Sequence, residues 1–160
     1  MTIKNFKNYA FVGLGSNLSG SFSSPKDNVL GAIERIKKLS DEAILFSSLL
    51  ESKPLDCPPG SPDFINAVAA FLPRQNETSL SLLHELQNIE NSLGRTRSGL
   101  KNEARIIDLD LLIFKEESLQ SEELKLPHPG ILNRDFVQLP LQELLGEDAY
   151  KSLITFIKNL

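Results

Sequence analysis

Ile106-Ile107-Asp108-Leu109-Asp110-Leu111-Leu112-Ile113-Phe114 is an apolar run interrupted by two acids. Its length and aliphatic content read as a strand, the fourth in the chain. Aspartate is a poor strand former, and an ionised carboxylate in an apolar run is costly unless something compensates it. Two residues apart on a strand, Asp108 and Asp110 point to the same face. Convergent carboxylates suit Mg²⁺, which takes oxygen ligands and shares its shell with substrate phosphates. The alternative is a pair of solvated acids at a strand end or on an open sheet face.

Upstream, the apolar run Tyr9 to Leu14, bounded by Gly13, Gly15 and Asn17, reads as a first strand ending in a turn. Ser24 and Pro25 suit the N-cap and first position of a helix. Val29, Ile33, Ile36 and Leu39 give that helix one apolar face. Ala43 to Leu50 and Phe64 to Leu72 read as the second and third strands, separated by the proline-rich stretch 54–62. Thr78 or Ser79 caps a second helix with the stripe Leu82, Leu83, Leu86, Ile89 and Leu93, ended by Gly94. A further helix is expected at Ser152 to Asn159. The order strand, helix, strand, strand, helix, strand is the split β-α-β arrangement of ferredoxin-like α+β sheets.

The length, 160 residues, suits one domain over 1–160, and 41% apolar with 24% charged residues is an ordinary globular mix. Cys57 alone excludes an internal disulfide framework and a cysteine-built zinc site. No run is long enough to span a bilayer, and the N-terminus carries no long apolar leader segment. A formal charge of -4 argues against a broad nucleic-acid surface. The expectation is a cytoplasmic protein, monomeric, with small-molecule partners and no nucleic-acid or membrane partner.

Around the acid pair the chain gathers Arg95, Arg97, Lys101 and Arg105. Guanidinium forks bind phosphate oxygens bidentately while carboxylate-held Mg²⁺ neutralises the remaining charge. This favours a phosphate site over a set of surface salt bridges, which are individually weak. The turn Gly15-Ser16-Asn17-Leu18-Ser19-Gly20-Ser21 spaces two glycines like a P-loop, but Ser21 stands where the phosphate-binding lysine belongs, so a Walker-type site is rejected. Phe64 and Asn66, two residues apart, form an aromatic and amide pair suited to a flat heterocycle, or else a core aromatic beside an edge amide. His128, between Pro127 and Pro129, reads as a loop residue near Arg134 and Phe136.

Taken together, Gly15-Ser16-Asn17-Leu18, Pro62-Asp63-Phe64-Ile65-Asn66-Ala67, Ile89-Glu90, Gly94-Arg95-Thr96-Arg97, Arg105 with Asp108-Leu109-Asp110, and Pro127-His128 with Asn133-Arg134-Asp135-Phe136 resemble the 6-hydroxymethyl-7,8-dihydropterin pyrophosphokinase family. The resemblance runs in order along nearly the whole chain. It implies a ferredoxin-like α+β sandwich, a mostly antiparallel sheet with helices packed on it. It also implies transfer of the β,γ-pyrophosphoryl unit of ATP to the pterin hydroxymethyl oxygen, with release of AMP. By the same resemblance Asp108 and Asp110 hold two Mg²⁺ ions, and Arg95 and Arg105 are catalytic. Gln87, Glu90, Arg97, Leu111, His128 and Arg134 fall on the ATP side. Phe64 and Phe136 sandwich the pterin, Asn66 hydrogen-bonds it, and Ser52 and Leu55 offer backbone contacts.

Two departures stand out. The family's aromatic-Gly-Pro sequence just before the second arginine is absent from the interval Ser98 to Ala104, and Lys53 replaces a proline before Pro54. They keep two other readings open, a non-catalytic nucleotide- or pterin-binding homologue with an altered lid loop, and another two-carboxylate nucleotidyl-transfer enzyme.

Overall fold

The structure is a computed structural model that describes residues 2–19, 23–54, 57–94 and 106–160. Its strands and helices are β1 (Ala10–Ser16), α1 (Pro25–Ile36), β2 (Leu45–Phe46), β3 (Leu50–Ser52), β4 (Phe64–Phe71), α2 (Ser79–Ser92), β5 (Asp108–Phe114), β6 (Leu119–Gln120), β7 (Lys125–Leu126) and α3 (Asp135–Lys158). Both capped starts form as expected. Ser24 Oγ accepts from Asp27 N at 3.2 Å while Asp27 Oδ2 accepts from Ser24 N at 3.2 Å. Thr78 and Ser81 reciprocate in the same way at α2. Each such box satisfies two amides that the first helical turn leaves without partners.

The main sheet runs β2-β4-β1-β5, with β3 also on β4, and every pairing is antiparallel. β1 is therefore hydrogen-bonded along both edges. Its first departure from expectation is at the C-terminal end, where Gly15 and Ser16 continue the strand instead of turning.

The second expected strand is one edge strand in two pieces, β2 and β3, both on β4. Between them Ser47 N donates to Val68 O at 2.9 Å, but Val68 N donates to the Ser47 hydroxyl at 2.9 Å rather than to a carbonyl. Ser48 then turns outward and donates through its amide and hydroxyl to the Glu143 carboxylate on α3 at 2.7 and 2.9 Å.

Side-chain alternation divides the core. Val12, Leu14, Ala67, Ala69, Phe71, Leu109 and Leu111 pack against Val29, Ile33 and Ile36 of α1 and Leu82 and Leu86 of α2. Phe11, Val68, Ala70, Leu112 and Ile113 pack against Val137, Leu141, Leu144 and Leu145 of α3. A bulge in β5 pairs Phe11 with Ile113 and Val12 with Leu111, skipping Leu112. Leu112 and Ile113 both serve the α3 layer, and the alternation resumes on opposite phases either side of them.

Helical structure at the C-terminus begins at Asp135, well before the expected Ser152 to Asn159. Pro140 and Gly146 read as helix breakers; α3 continues through Pro140, but at Gly146 (φ 76°, ψ 176°) the backbone leaves the helical region and divides α3 into two helical segments. Tertiary burial of Leu141, Leu144 and Leu145 holds the helix through Pro140. No helix among the described residues is long and apolar enough to cross a membrane.

Leu86 is fully buried between α2 and the sheet. Leu86→Ala is expected to lower the unfolding free energy by about 2–5 kcal/mol, read by urea denaturation.

Candidate active site

The α3 layer does not cover the whole sheet face. Where α3 begins, a cavity of about 250 Å³ opens, lined by Asp108, Asp110, Phe64, Asn66, Arg134 and Phe136 together with Gly13, Gly15, Lys53, Cys57 and Asn133. Strand pairing sets this grouping. Gly15 pairs with Asp108 on one side and Asn66 on the other, while Gly13 pairs with Asp110 and Val68. Two rows thus cross the sheet, each with an acid on β5, a glycine on β1 and a β4 residue beyond.

The glycines are the floor. A Cβ on Gly15 would sit 3.4 Å from Asn66 Oδ1 and 3.4 Å from Phe64 Cδ1, and one on Gly13 would sit 3.5 Å from Leu112. Side chains at these positions would fill the hollow between the carboxylates and the aromatic. In the sequence these glycines mark the end of a strand that runs into a turn. The available signal was their period of two inside an apolar strand, a pattern that marks close approach of a ligand or backbone.

Asn66 is buried, and its Nδ2 donates to Leu50 O at 3.1 Å and to Ser52 Oγ at 2.7 Å. Both amide hydrogens are committed, which orients Oδ1 toward Gly15 as an acceptor. Ser52 thereby acts through its side chain on Asn66. Phe136 faces the same cavity from the first turn of α3, and the Arg134 guanidinium lies over its ring, 6.0 Å from the centroid.

His128 precedes a short 3-10 turn (Pro129–Leu132), after a cis Leu126–Pro127 peptide. Its backbone N donates to Leu112 O at 2.8 Å, fastening it to the outer edge of β5. Its Nδ1 accepts from Gly130 N at 2.9 Å, leaving Nε2 to carry the proton of the neutral ring. Burial, and then the Arg134 charge, hold its pKa below the usual imidazole value, with Asp108 opposing them.

A second recess of about 240 Å³ lies over the outer edge of β5, lined by Leu83, Leu109 to Leu111, His128 and residues 122–125. Asp110 lines both hollows. Leu111 contributes to the second, although its side chain is buried in the layer beneath α1 and α2. Glu90 is buried at the end of α2, where its Oε2 accepts from Leu109 N at 2.8 Å and covers an amide of the edge strand. Gln87 is exposed one turn earlier and lines neither hollow. Arg95, Arg97, Arg105 and Leu55, like the whole 98–104 interval, lie outside the described residues. Among the described residues no group of three or more carboxylate, histidine or cysteine side chains could hold a metal ion. The Asp108 and Asp110 pair nevertheless fits Mg²⁺, which is commonly held by one or two carboxylates with substrate phosphates and water completing its shell.

Residues 11–146 match the sequence model of the 7,8-dihydro-6-hydroxymethylpterin-pyrophosphokinase (HPPK) family. The chain belongs to the HPPK family. It is 41% identical over 142 residues to the 2-amino-4-hydroxy-6-hydroxymethyldihydropteridine pyrophosphokinase of Haemophilus influenzae, covering 86% of this chain and 82% of that protein. It is 38% identical to the Pseudomonas aeruginosa enzyme of the same name, covering 84% of this chain and 78% of that one. A solved HPPK-DHPS structure from Plasmodium falciparum matches with a TM-score of 0.61 over 98% of this chain and 45% of that one, at 14% identity. That likeness supports the fold alone, and the HPPK α+β fold agrees with the sheet described above.

Two outcomes follow from this HPPK-family site. Gly15→Ala places a methyl on the cavity floor without a severe clash, so pterin affinity should fall several-fold with little change in melting temperature, read by calorimetry and thermal unfolding. For His128, the unfolded chain takes a proton near pH 6.5 and the native chain only at lower pH. Its contribution to stability is therefore intact above the unfolded value and is lost as pH falls through 6.5 toward the native pKa. Urea unfolding between pH 7 and 5 should fall more steeply for the wild type than for His128→Asn.

Proposed function

We propose that this chain transfers the pyrophosphoryl unit of ATP to the hydroxymethyl group of 6-hydroxymethyl-7,8-dihydropterin and releases AMP, a step of folate biosynthesis. The observation that carries the reading is the meeting of two hollows at one carboxylate, Asp110. A two-substrate transfer needs adjoining sites with the reacting atoms at their junction. The names of the relatives support the choice of substrates.

In this reading the pterin, a flat 2-amino-4-oxo heterocycle, lies between Phe64 and Phe136 with Asn66 accepting from a ring N–H. Ser52 orients Asn66, and Ser52 and Leu55 offer backbone contacts to the ring. ATP lies toward the second hollow, bounded by Leu111 and His128, with Gln87 and Glu90 on the α2 side and Arg97 and Arg134 as its cationic contacts. Asp108 and Asp110 would hold Mg²⁺, in two ions, which when bound neutralises phosphate charge and orients the triphosphate. Arg95 and Arg105 stabilise the charge that builds on the transferring groups. The neutral Nε2–H of His128 donates to a phosphate oxygen without adding a charge. Phosphoryl transfer asks little covalent chemistry of the protein, so positioning and electrostatics carry the rate. The reading takes the protein as a monomer of one domain in the cytoplasm.

Purified protein given ATP, Mg²⁺ and the pterin alcohol should form AMP and the pterin diphosphate in equal amounts. Asp108→Ala and Asp110→Ala should each abolish turnover, and a chelator should do the same to the wild type. A folded wild type that makes no AMP at saturating substrates would sink the proposal.

A further inference from the structure

Lys53 lines the main cavity immediately after β3, and nothing above gives it a part in the transfer. Its side chain is exposed, and among the described residues its ammonium makes no hydrogen bond or ion pair. Two groups of a bound substrate pair could engage it, the phosphates or the heterocycle. Distance decides between them. The strands across the cavity run β5, β1, β4, β3, so the Asp108 and Asp110 backbone lies about 14 Å, three strand spacings, from β3. A four-carbon stem does not span that gap. Lys53 instead stands at the Phe64 end, because Ser52, the residue before it, pairs directly with Phe64.

Hydrogen-bonding arithmetic points the same way. Asn66 has spent both amide hydrogens on Leu50 O and Ser52 Oγ, so it offers the ring an acceptor and no donor. A 2-amino-4-oxo ring presents N–H donors and also a carbonyl acceptor, and Asn66 serves only the first. An ammonium has three donors and no acceptor.

We propose that Lys53 is a specificity-determining residue whose ammonium donates to the 4-oxo group of the pterin, and that it discriminates against rings carrying a donor at that position. The proposal rests on the pterin reading given above. One charge-assisted hydrogen bond at a solvent-reached rim supplies about tenfold in affinity.

The test is calorimetric titration of the full chain with 6-hydroxymethyl-7,8-dihydropterin, with its 4-amino counterpart, and with a non-hydrolysable ATP analogue. Lys53→Met should weaken the 4-oxo ring about tenfold, leave the 4-amino ring within twofold, and leave the nucleotide unchanged. Lys53→Arg should restore the preference. Equal weakening of both rings, or no weakening of either, overturns the role of Lys53 while leaving the pyrophosphokinase reading intact. A folded wild type that binds neither ring overturns both.

Discussion

The site depends on a strand that is buried, paired on both edges and bare on one face. β1 carries Val12 and Leu14 into the layer under α1 and α2, but Gly13 and Gly15 leave nothing on the other side. Glycine inside a strand weakens it by roughly 0.5–1 kcal/mol relative to alanine. Antiparallel ladders to both β4 and β5 hold the strand in place despite the two glycines. Had β1 been an edge strand, the same glycines would have favoured fraying; at the centre of the sheet they make a rigid floor.

β5 applies the complementary rule. Leu109 and Leu111 anchor it in one core while Asp108 and Asp110 face the opening on the other side. The carboxylates are therefore positioned by apolar burial of their neighbours, which turns them toward the cavity and any cation or phosphate within it. Leu112, in phase with the acids, lines the hollow beside them, and the bulge turns Ile113 into the α3 layer as well. From there α3 begins, and its first residues bring Arg134 and Phe136 over the cavity.

Much of this was legible in the sequence. The capped starts of α1 and α2, their apolar stripes and the strand order follow from local patterns whose physics is short-range. The acid pair and the Phe64 and Asn66 pair were legible as well, since a period of two puts each pair on one face. Other features were not. The break between β2 and β3 arises from a serine hydroxyl substituting for a carbonyl across the ladder, which is a long-range contact. The helical segment before Gly146 was hidden by Pro140, whose propensity is overridden by burial against the sheet, whereas Gly146 does break the helix, as its type suggests. His128 read as a plain loop residue because its fastening to Leu112 O joins positions distant in sequence.

The chain by itself determined its element order, its family resemblance and the residue types that do the chemistry, because periodicity, caps and motifs are written locally. The tertiary structure alone decided that Gly13 and Gly15 form a floor, that Ser52 spends the Asn66 donors, that Asp110 borders two hollows and that Lys53 reaches only the ring end. Each of these is a matter of which strand lies beside which. Register across a sheet is set by the packing of both faces at once, and no single stretch of sequence contains it.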